Sequence, residues 1–123
     1  MTKDENYSNK INSILTKYNM TACELAEFMG ITISRLSRYR NTNQIQIIDK
    51  IIIDYLKFLN LTDLTELDNY LHLKSIKILN IKLYDISKRD LRRLTLLNLA
   101  MTNLFFVGVV KYHLLSDEDS KND

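Results

Sequence analysis

Proline is missing altogether from this 123-residue chain, and glycine occurs only twice, at Gly30 and Gly108. So few breaks argue against a loop-rich sandwich or barrel and favour helices joined by short turns. A single cysteine, Cys23, excludes an internal disulfide and is expected to pack as a small apolar residue. No charged-then-apolar leader opens the sequence, so the expectation is a reduced, cytoplasmic protein. Catalytic signatures are also missing. His72 and His113 stand far apart without a companion cluster, Cys23 has no histidine near it, and there is no glycine-rich phosphate loop. Enzyme activity, a bound metal and a cofactor are not expected.

Apolar residues make up 46% of the chain and charged residues 26%, a mixture that fits neither wholesale disorder nor a multi-span membrane protein. The stretch Leu94–Val110 carries no charge over 17 residues. A bilayer span needs about 20 predominantly apolar residues, and this stretch contains Thr95, Asn98, Thr102 and Asn103. A core or a dimer interface is the better expectation, so no membrane partner is expected; basic residues before the stretch and acids after it would suit the lesser alternative, a membrane-anchored regulator. Charge is uneven along the chain. Residues 1–72 hold eight Lys or Arg against nine Asp or Glu, residues 73–115 hold eight against two, and the tail 116–123 holds one Lys against four acids. The basic surplus therefore lies in the second half.

Apolar periodicity predicts a first amphipathic helix over Tyr7–Asn19, with Ile11, Ile14, Leu15 and Tyr18 at helical spacing. Thr21 followed by Glu24 makes a capping box, so a second helix starts there and runs through Leu25, Ala26, Phe28 and Met29. Gly30 suits the left-handed turn that ends it. Thr32 caps a third helix with Leu36 and Tyr39 inward and Arg35, Ser37, Arg38 and Arg40 largely outward, and Asn41–Gln44 form a polar loop. Ile45–Leu59 reads as a fourth helix with Ile48, Ile52, Leu56 and Leu59 on one stripe, widened by Ile51, Ile53, Tyr55 and Phe58. A short fifth helix begins near Thr62 and carries Leu64, Leu67 and Leu71.

Beyond Leu73 two templates compete. The alternation of Ile and Leu with Lys in SIKILNIKLYDI favours a strand or hairpin over residues 73–86. A helix also fits, since Ile76, Leu79, Leu83 and Ile86 share a heptad seam. Ser87 caps a helix from Lys88 to about Thr102, and Leu104–Tyr112 either forms a strand or prolongs that helix. The expected fold is mainly α: a five-helix bundle over residues 7–72, a small α+β or all-α module over 73–115, and an acidic flexible tail over 116–123.

The segment TACELAEFMGITISRLSRYRN carries the strongest functional signal. Two helices that meet steeply across a short turn need a small residue at their crossing, here Ala26, and a residue tolerant of positive φ to open the turn, here Gly30. Ile31, Leu36 and Tyr39 then pin the second helix of the pair to the body. With its flanking helices, residues 7–72 resemble the helix-turn-helix family of phage Cro and lambda-type repressors. That resemblance implies double-stranded DNA as partner and Thr32–Asn41 as the recognition helix, lying in the major groove. It puts Ile33, Ser34 and Arg38 against base edges. Thr32, Arg35, Ser37, Arg40 and Asn41 would meet phosphates.

A second basic group, Lys74, Lys77, Lys82, Lys88, Arg89, Arg92 and Arg93, reads either as a further nucleic-acid or partner contact or as the wet edge of a strand and a helix start. The resemblance implies a homodimeric repressor of phage or mobile-element type; the apolar strand and helix faces of residues 73–115, outside the resemblance, are expected to supply the dimer contact. A different class of reading also holds. Some anti-CRISPR proteins resemble this arrangement, an N-terminal helix-turn-helix domain controlling its own promoter and a C-terminal module blocking a nuclease. Ala22 and Ile33, standing where the repressor family commonly has a Gln and a polar base reader, favour that reading. An antitoxin gripping a toxin through its second half is a third.

Overall fold

The computed structural model describes residues 6–79 and 86–103, with positions 108, 111, 112 and 115 beyond them. Its helices are α1 (Tyr7–Lys17), α2 (Ala22–Met29), α3 (Ile33–Thr42), α4 (Ile47–Phe58), α5 (Leu64–Leu79) and α6 (Lys88–Thr102). Local chemistry sets most of their ends. Asn6 caps α1 by accepting from the Ser8 and Asn9 amides. Thr21 Oγ1 accepts from the Glu24 amide at 3.2 Å while Glu24 Oε1 accepts from the Thr21 amide at 2.8 Å, the reciprocal box its spacing predicts. Thr32 and Ser87 cap α3 and α6 one way only, their hydroxyl oxygens accepting from the Arg35 and Asp90 amides at 3.1 Å each. Asp63, rather than Thr62, takes the first amide of α5, from Glu66 at 2.8 Å.

α3 runs two residues into the expected loop. Asn41 and Thr42 stay helical, and Asn43 adopts the left-handed conformation at φ 59°. Its side chain then accepts from the Tyr7 amide at 2.9 Å, fastening the start of α1 to the end of α3. α4 is bound to α1 by Lys10 and the Tyr7 hydroxyl, which share the Asp54 carboxylate at 2.6 and 2.9 Å. The breadth of its apolar stripe overstated its burial. Ile51, Ile52, Ile53, Tyr55 and Leu56 are buried, but Ile48 and Phe58 are exposed because neighbouring helices cover only part of the circumference. Cys23 is likewise exposed on α2 rather than packed, since its neighbours Leu25 and Ala26 take the inward face.

The expected strand over residues 73–86 does not form where the structure describes it. α5 continues through Leu79, and among the described residues there is no strand at all. Once capped, a helix extends without a second nucleation cost, and no glycine or proline interrupts this segment. A lone strand would leave its backbone groups without partners. Leu67, Leu71 and Ser75, four residues apart, face inward, which turns Leu73 and Ile76 to solvent. The expected C-terminal α+β module thus gives way to helix in the described residues; positions 80–85 lie outside them. Leu104–Tyr112 lies outside them too, except positions 108, 111 and 112, which are helical. Asn103 takes an extended conformation and ends α6 at Thr102.

α6 returns across the bundle and packs on α2, α4 and α5. Its Leu96, Leu99 and Ala100 join the same buried cluster as Ile11, Ile14, Leu25, Leu36 and Ile52. Among the described residues no helix is long and apolar enough to cross a membrane.

Three tyrosines in this core impose a pH limit. Burial pushes the Tyr18 phenol well above its ordinary range, with Glu66 adding to it. Burial does the same for Tyr55, assisted by the Tyr70 hydroxyl, and for Tyr39, assisted by its bond to Asp49. In the unfolded chain these groups ionise near pH 10. The folded state holds its protons to higher pH, so the stability linked to them is complete below about pH 10 and is lost as pH rises from there. Thermal melts followed by circular dichroism are expected to hold a steady midpoint between about pH 7 and 9 and to fall beyond about pH 10. Tyr18→Phe is expected to soften that fall, and an identical alkaline profile would show that Tyr18 has no part in it.

Candidate nucleic-acid interface

Helix α3 is pinned from beneath and open above. Leu36 and Tyr39 are buried, while Thr32, Ile33, Ser34, Ser37, Arg38 and Asn41 are exposed. The turn before it depends on Gly30 twice. Its φ of 72° is left-handed, which an L side chain tolerates poorly, and a Cβ there would stand 2.7 Å from Arg93 Cδ of α6. Ala26 and Ile31 are buried at the junction, and the Ile31 amide donates to the Ala26 carbonyl at 3.0 Å. Ala26, Gly30 and Ile31 thus meet at the turn, Leu36 and Tyr39 are buried further along α3, and Arg93 of α6 lies against Gly30.

Beneath α3 lies a charged network that sequence reasoning did not anticipate. Asp49 of α4 is fully buried. Its Oδ2 accepts from the Tyr39 hydroxyl at 2.5 Å and from Arg35 Nη2 at 2.9 Å. Its Oδ1 lies 2.8 Å from Arg93 Nη1 of α6. Arg35 Nε also donates to the Tyr39 hydroxyl at 2.8 Å, and its Nη2 donates to Gln46. Arg93 Nη1 also donates to the Met29 carbonyl at the end of α2. One carboxylate thus ties α3, α4 and α6 together, and Arg93 carries the link on to the end of α2. The bond to Tyr39, with Asp49 behind it, holds the Arg35 guanidinium more firmly protonated than usual despite its partial burial.

This network divides the predicted contacts. Arg35 is committed to Asp49 and Tyr39 instead of facing outward, and Arg40 Nη2 donates to Asn12 of α1 at 2.9 Å. Arg38 is exposed and has no side-chain partner among the described residues, so it is the α3 cation most available to a ligand. Ile33, 45% exposed, stands at the first turn of α3 next to Ser34. An aliphatic group left in water at a helix start is a feature that contact with another apolar group relieves.

The second basic group does not act as one face. Arg93 is drawn to Asp49. Arg92 pairs with Asp68 at 2.9 Å and lies over the Phe28 ring at 4.2 Å. Lys74 lies over Tyr70 at 5.6 Å. Lys77, Lys88 and Arg89 are exposed, with Lys88 only loosely paired to Asp68 at 3.9 Å, and Lys82 is outside the described residues. The signal for the inward turn of Arg93 was its position seven residues before Ala100, on the buried side of α6. Asp49 was equally readable as an acid four residues after Ile45 and three before Ile52, on a core stripe where only a paired charge is tolerated.

Among the described residues there is no cluster of three or more His, Cys, Asp or Glu able to hold a metal ion. No family model, no curated protein and no solved structure matches the chain.

Proposed function

We propose that this protein is a sequence-specific regulator that binds double-stranded DNA through α3, acts as a homodimer, and uses α2, the Gly30 turn and α3 in the manner of phage Cro-like repressors. The observation that carries the reading is the asymmetry of α3. Its underside is held by Leu36, Tyr39 and the Asp49 network, while Ile33, Ser34, Ser37 and Arg38 stand free on one outward face. A rigid helix with short polar groups and one unpaired arginine suits groove contact. Arg38 reaches a guanine edge bidentately, Ser34 donates or accepts, and Ile33 meets a thymine methyl. Thr32, Ser37 and Asn41 remain as phosphate partners.

Fluorescence anisotropy on the DNA upstream of the protein's own reading frame, against scrambled DNA of equal length at two salt concentrations, tests this. A preference of about 100-fold or more supports it. Weak binding that ignores sequence and vanishes with salt defeats it. Arg38→Ala is expected to cost about 1 to 3 kcal/mol on the preferred site and to relax discrimination at one base pair. Unchanged affinity removes Arg38 from the interface.

The commitment of Arg35 and Arg40 to internal partners favours a second reading, a protein-binding inhibitor on a repressor-like fold, of anti-CRISPR or antitoxin type. Few free cations on α3 limit its hold on a polyanion, whereas a protein target does not require them. Co-purification with a nuclease or nucleoprotein, together with indifference to DNA sequence, selects this reading.

A further inference from the structure

Three exposed carboxamides border α3, and each has its oxygen turned inward. Asn12 Oδ1 of α1 accepts from Arg40 Nη2 at 2.9 Å, Gln46 Oε1 just ahead of α4 accepts from Arg35 Nη2, and Asn43 Oδ1 at the end of α3 accepts from the Tyr7 amide at 2.9 Å. The orientation is forced, because a guanidinium or a backbone N–H only donates and can meet only the oxygen arm of an amide. The three nitrogen arms have no hydrogen bond among the described residues. Groups that ordinarily donate and accept are thus left as donors alone.

These donors lie on both flanks of the open face. Arg35 and Arg40, five residues apart, stand about 140° apart around α3 at about 100° per residue. Leu36 and Tyr39 fill the narrower arc between them, and Ser34, Ser37, Arg38 and Asn41 fill the wider one. Gln46 therefore lies beyond one edge of the wider arc and Asn12 beyond the other, with Asn43 at its C-terminal end. No described acid competes for this rim. From Asn6 to Ile48 the only acids are Glu24 and Glu27, which line a cleft with Phe28, Asp68 and Arg92 on the side of α2 turned to α5 and α6. Asp49 and Asp54 are paired, and Asp4 and Glu5 lie outside the described residues.

We propose that Asn12, Asn43 and Gln46 are phosphate-binding residues, their amide nitrogens donating to the two DNA strands that wall the major groove on either side of α3. A donor-only rim fits an acceptor-only ligand, and the oxygens of a phosphodiester only accept. Width fits as well: a helix with its side chains is about 10 to 12 Å across, and the groove is about 12 Å wide. Arg35 and Arg40, expected to meet phosphates themselves, act one bond removed by holding the amides that do. The inference deepens the proposed DNA reading and rests on it.

Asn12→Asp and Gln46→Glu separate the two arms of each amide. The new carboxylate keeps the inner acceptor and strengthens its bond to the guanidinium, while the outer donor becomes a charged acceptor. Thermal midpoints are therefore expected to hold or rise. In fluorescence anisotropy each variant is expected to lose at least about tenfold in affinity, the worth of one hydrogen bond to a charged group. The loss is expected to be alike on the upstream and the scrambled DNA, as a phosphate contact requires. Asn69→Asp makes the same charge change on the exposed surface of α5 and is expected to stay within about threefold of the parent, since distant charges are screened. Gln46→Met removes the donor without changing charge and leaves Arg35 held by Asp49 and Tyr39; it too is expected to lose about tenfold. Rim variants that bind like Asn69→Asp, or an unchanged Gln46→Met, overturn the proposal. If the parent prefers its upstream sequence in that case, the rim alone fails and the DNA reading stands. A parent that ignores sequence, with rim variants weaker on both DNAs, keeps the rim and defeats the sequence-specific reading, and a parent that binds neither DNA defeats both.

Discussion

Asp49→Ala is expected to lower the unfolding free energy by about 3 kcal/mol in urea titrations followed by circular dichroism, near the lower end of what breaking a buried ion pair costs. The carboxylate is wholly buried, and removing it leaves Arg35 and the Tyr39 hydroxyl without their shared acceptor and Arg93 without its ion-pair partner. Arg35 and Arg93 keep 27% and 20% of their side-chain surface exposed, so water relieves part of the penalty, which is why the lower end applies. Asp49→Asn retains an acceptor for Tyr39 but removes the charge, and its loss is expected to fall between those of the parent and the alanine variant. A loss below about 1 kcal/mol for alanine would place this site with ordinary surface substitutions and remove the network from the account of how α3 is held.

Stability is only half of that argument. Buried ion pairs are often no more stabilising than well-packed apolar residues of similar volume, so a combined Arg35→Met, Asp49→Leu and Arg93→Met replacement is compatible with a folded protein. The network's distinguishing property is geometric: one acid joins α3, α4 and α6, and its partner Arg93 holds the carbonyl end of α2. In the proposed DNA reading, a folded variant without it presents Ile33, Ser34 and Arg38 on a less firmly oriented helix. Affinity for the preferred sequence then falls while phosphate-driven binding to scrambled DNA is largely retained.

Features governed by local chemistry were legible in the sequence. Thr21 with Glu24, Gly30, Thr32 and Ser87 each act within one helical turn, so their neighbours along the chain suffice to reveal them. Length and facing were less legible. The alternation in SIKILNIK satisfies a strand template, yet Leu67, Leu71 and Ser75 continue a helical face on which α6 packs, and α6 starts some twenty residues after Leu67. Ser75 carries no hydrophobic signal and is nonetheless buried, its hydroxyl returned to the His72 carbonyl at 2.8 Å. The charges on α3 misled in the same way. Arg35, Arg38 and Arg40 look alike in sequence, and only Asp49 and Asn12, distant along the chain, separate the paired two from the free one.

The position of α6 within a shared core gives the other large effect. Leu96 is fully buried in the cluster that includes Ile11, Leu36 and Ile52, so Leu96→Ala is expected to cost about 2 to 5 kcal/mol. Leu73, 65% exposed on α5, is the contrast. Its replacement by alanine removes little burial and adds helix propensity, so a change within about 0.5 kcal/mol is expected. How the loss at Leu96 is distributed matters more than its size. If residues 73–115 unfolded as a separate module, Leu96→Ala would lower protection from hydrogen exchange only in the second half of the chain. With one core, the amides of Ile11, Ile14 and Leu36 lose protection together with those of α6, and unfolding remains a single transition. Two transitions, with α1 to α4 unchanged in the variant, would show that the packing of α6 on α4 contributes little to the bundle. The Arg93 bond to Asp49 would then have to hold the back of α3 without the support of a common core.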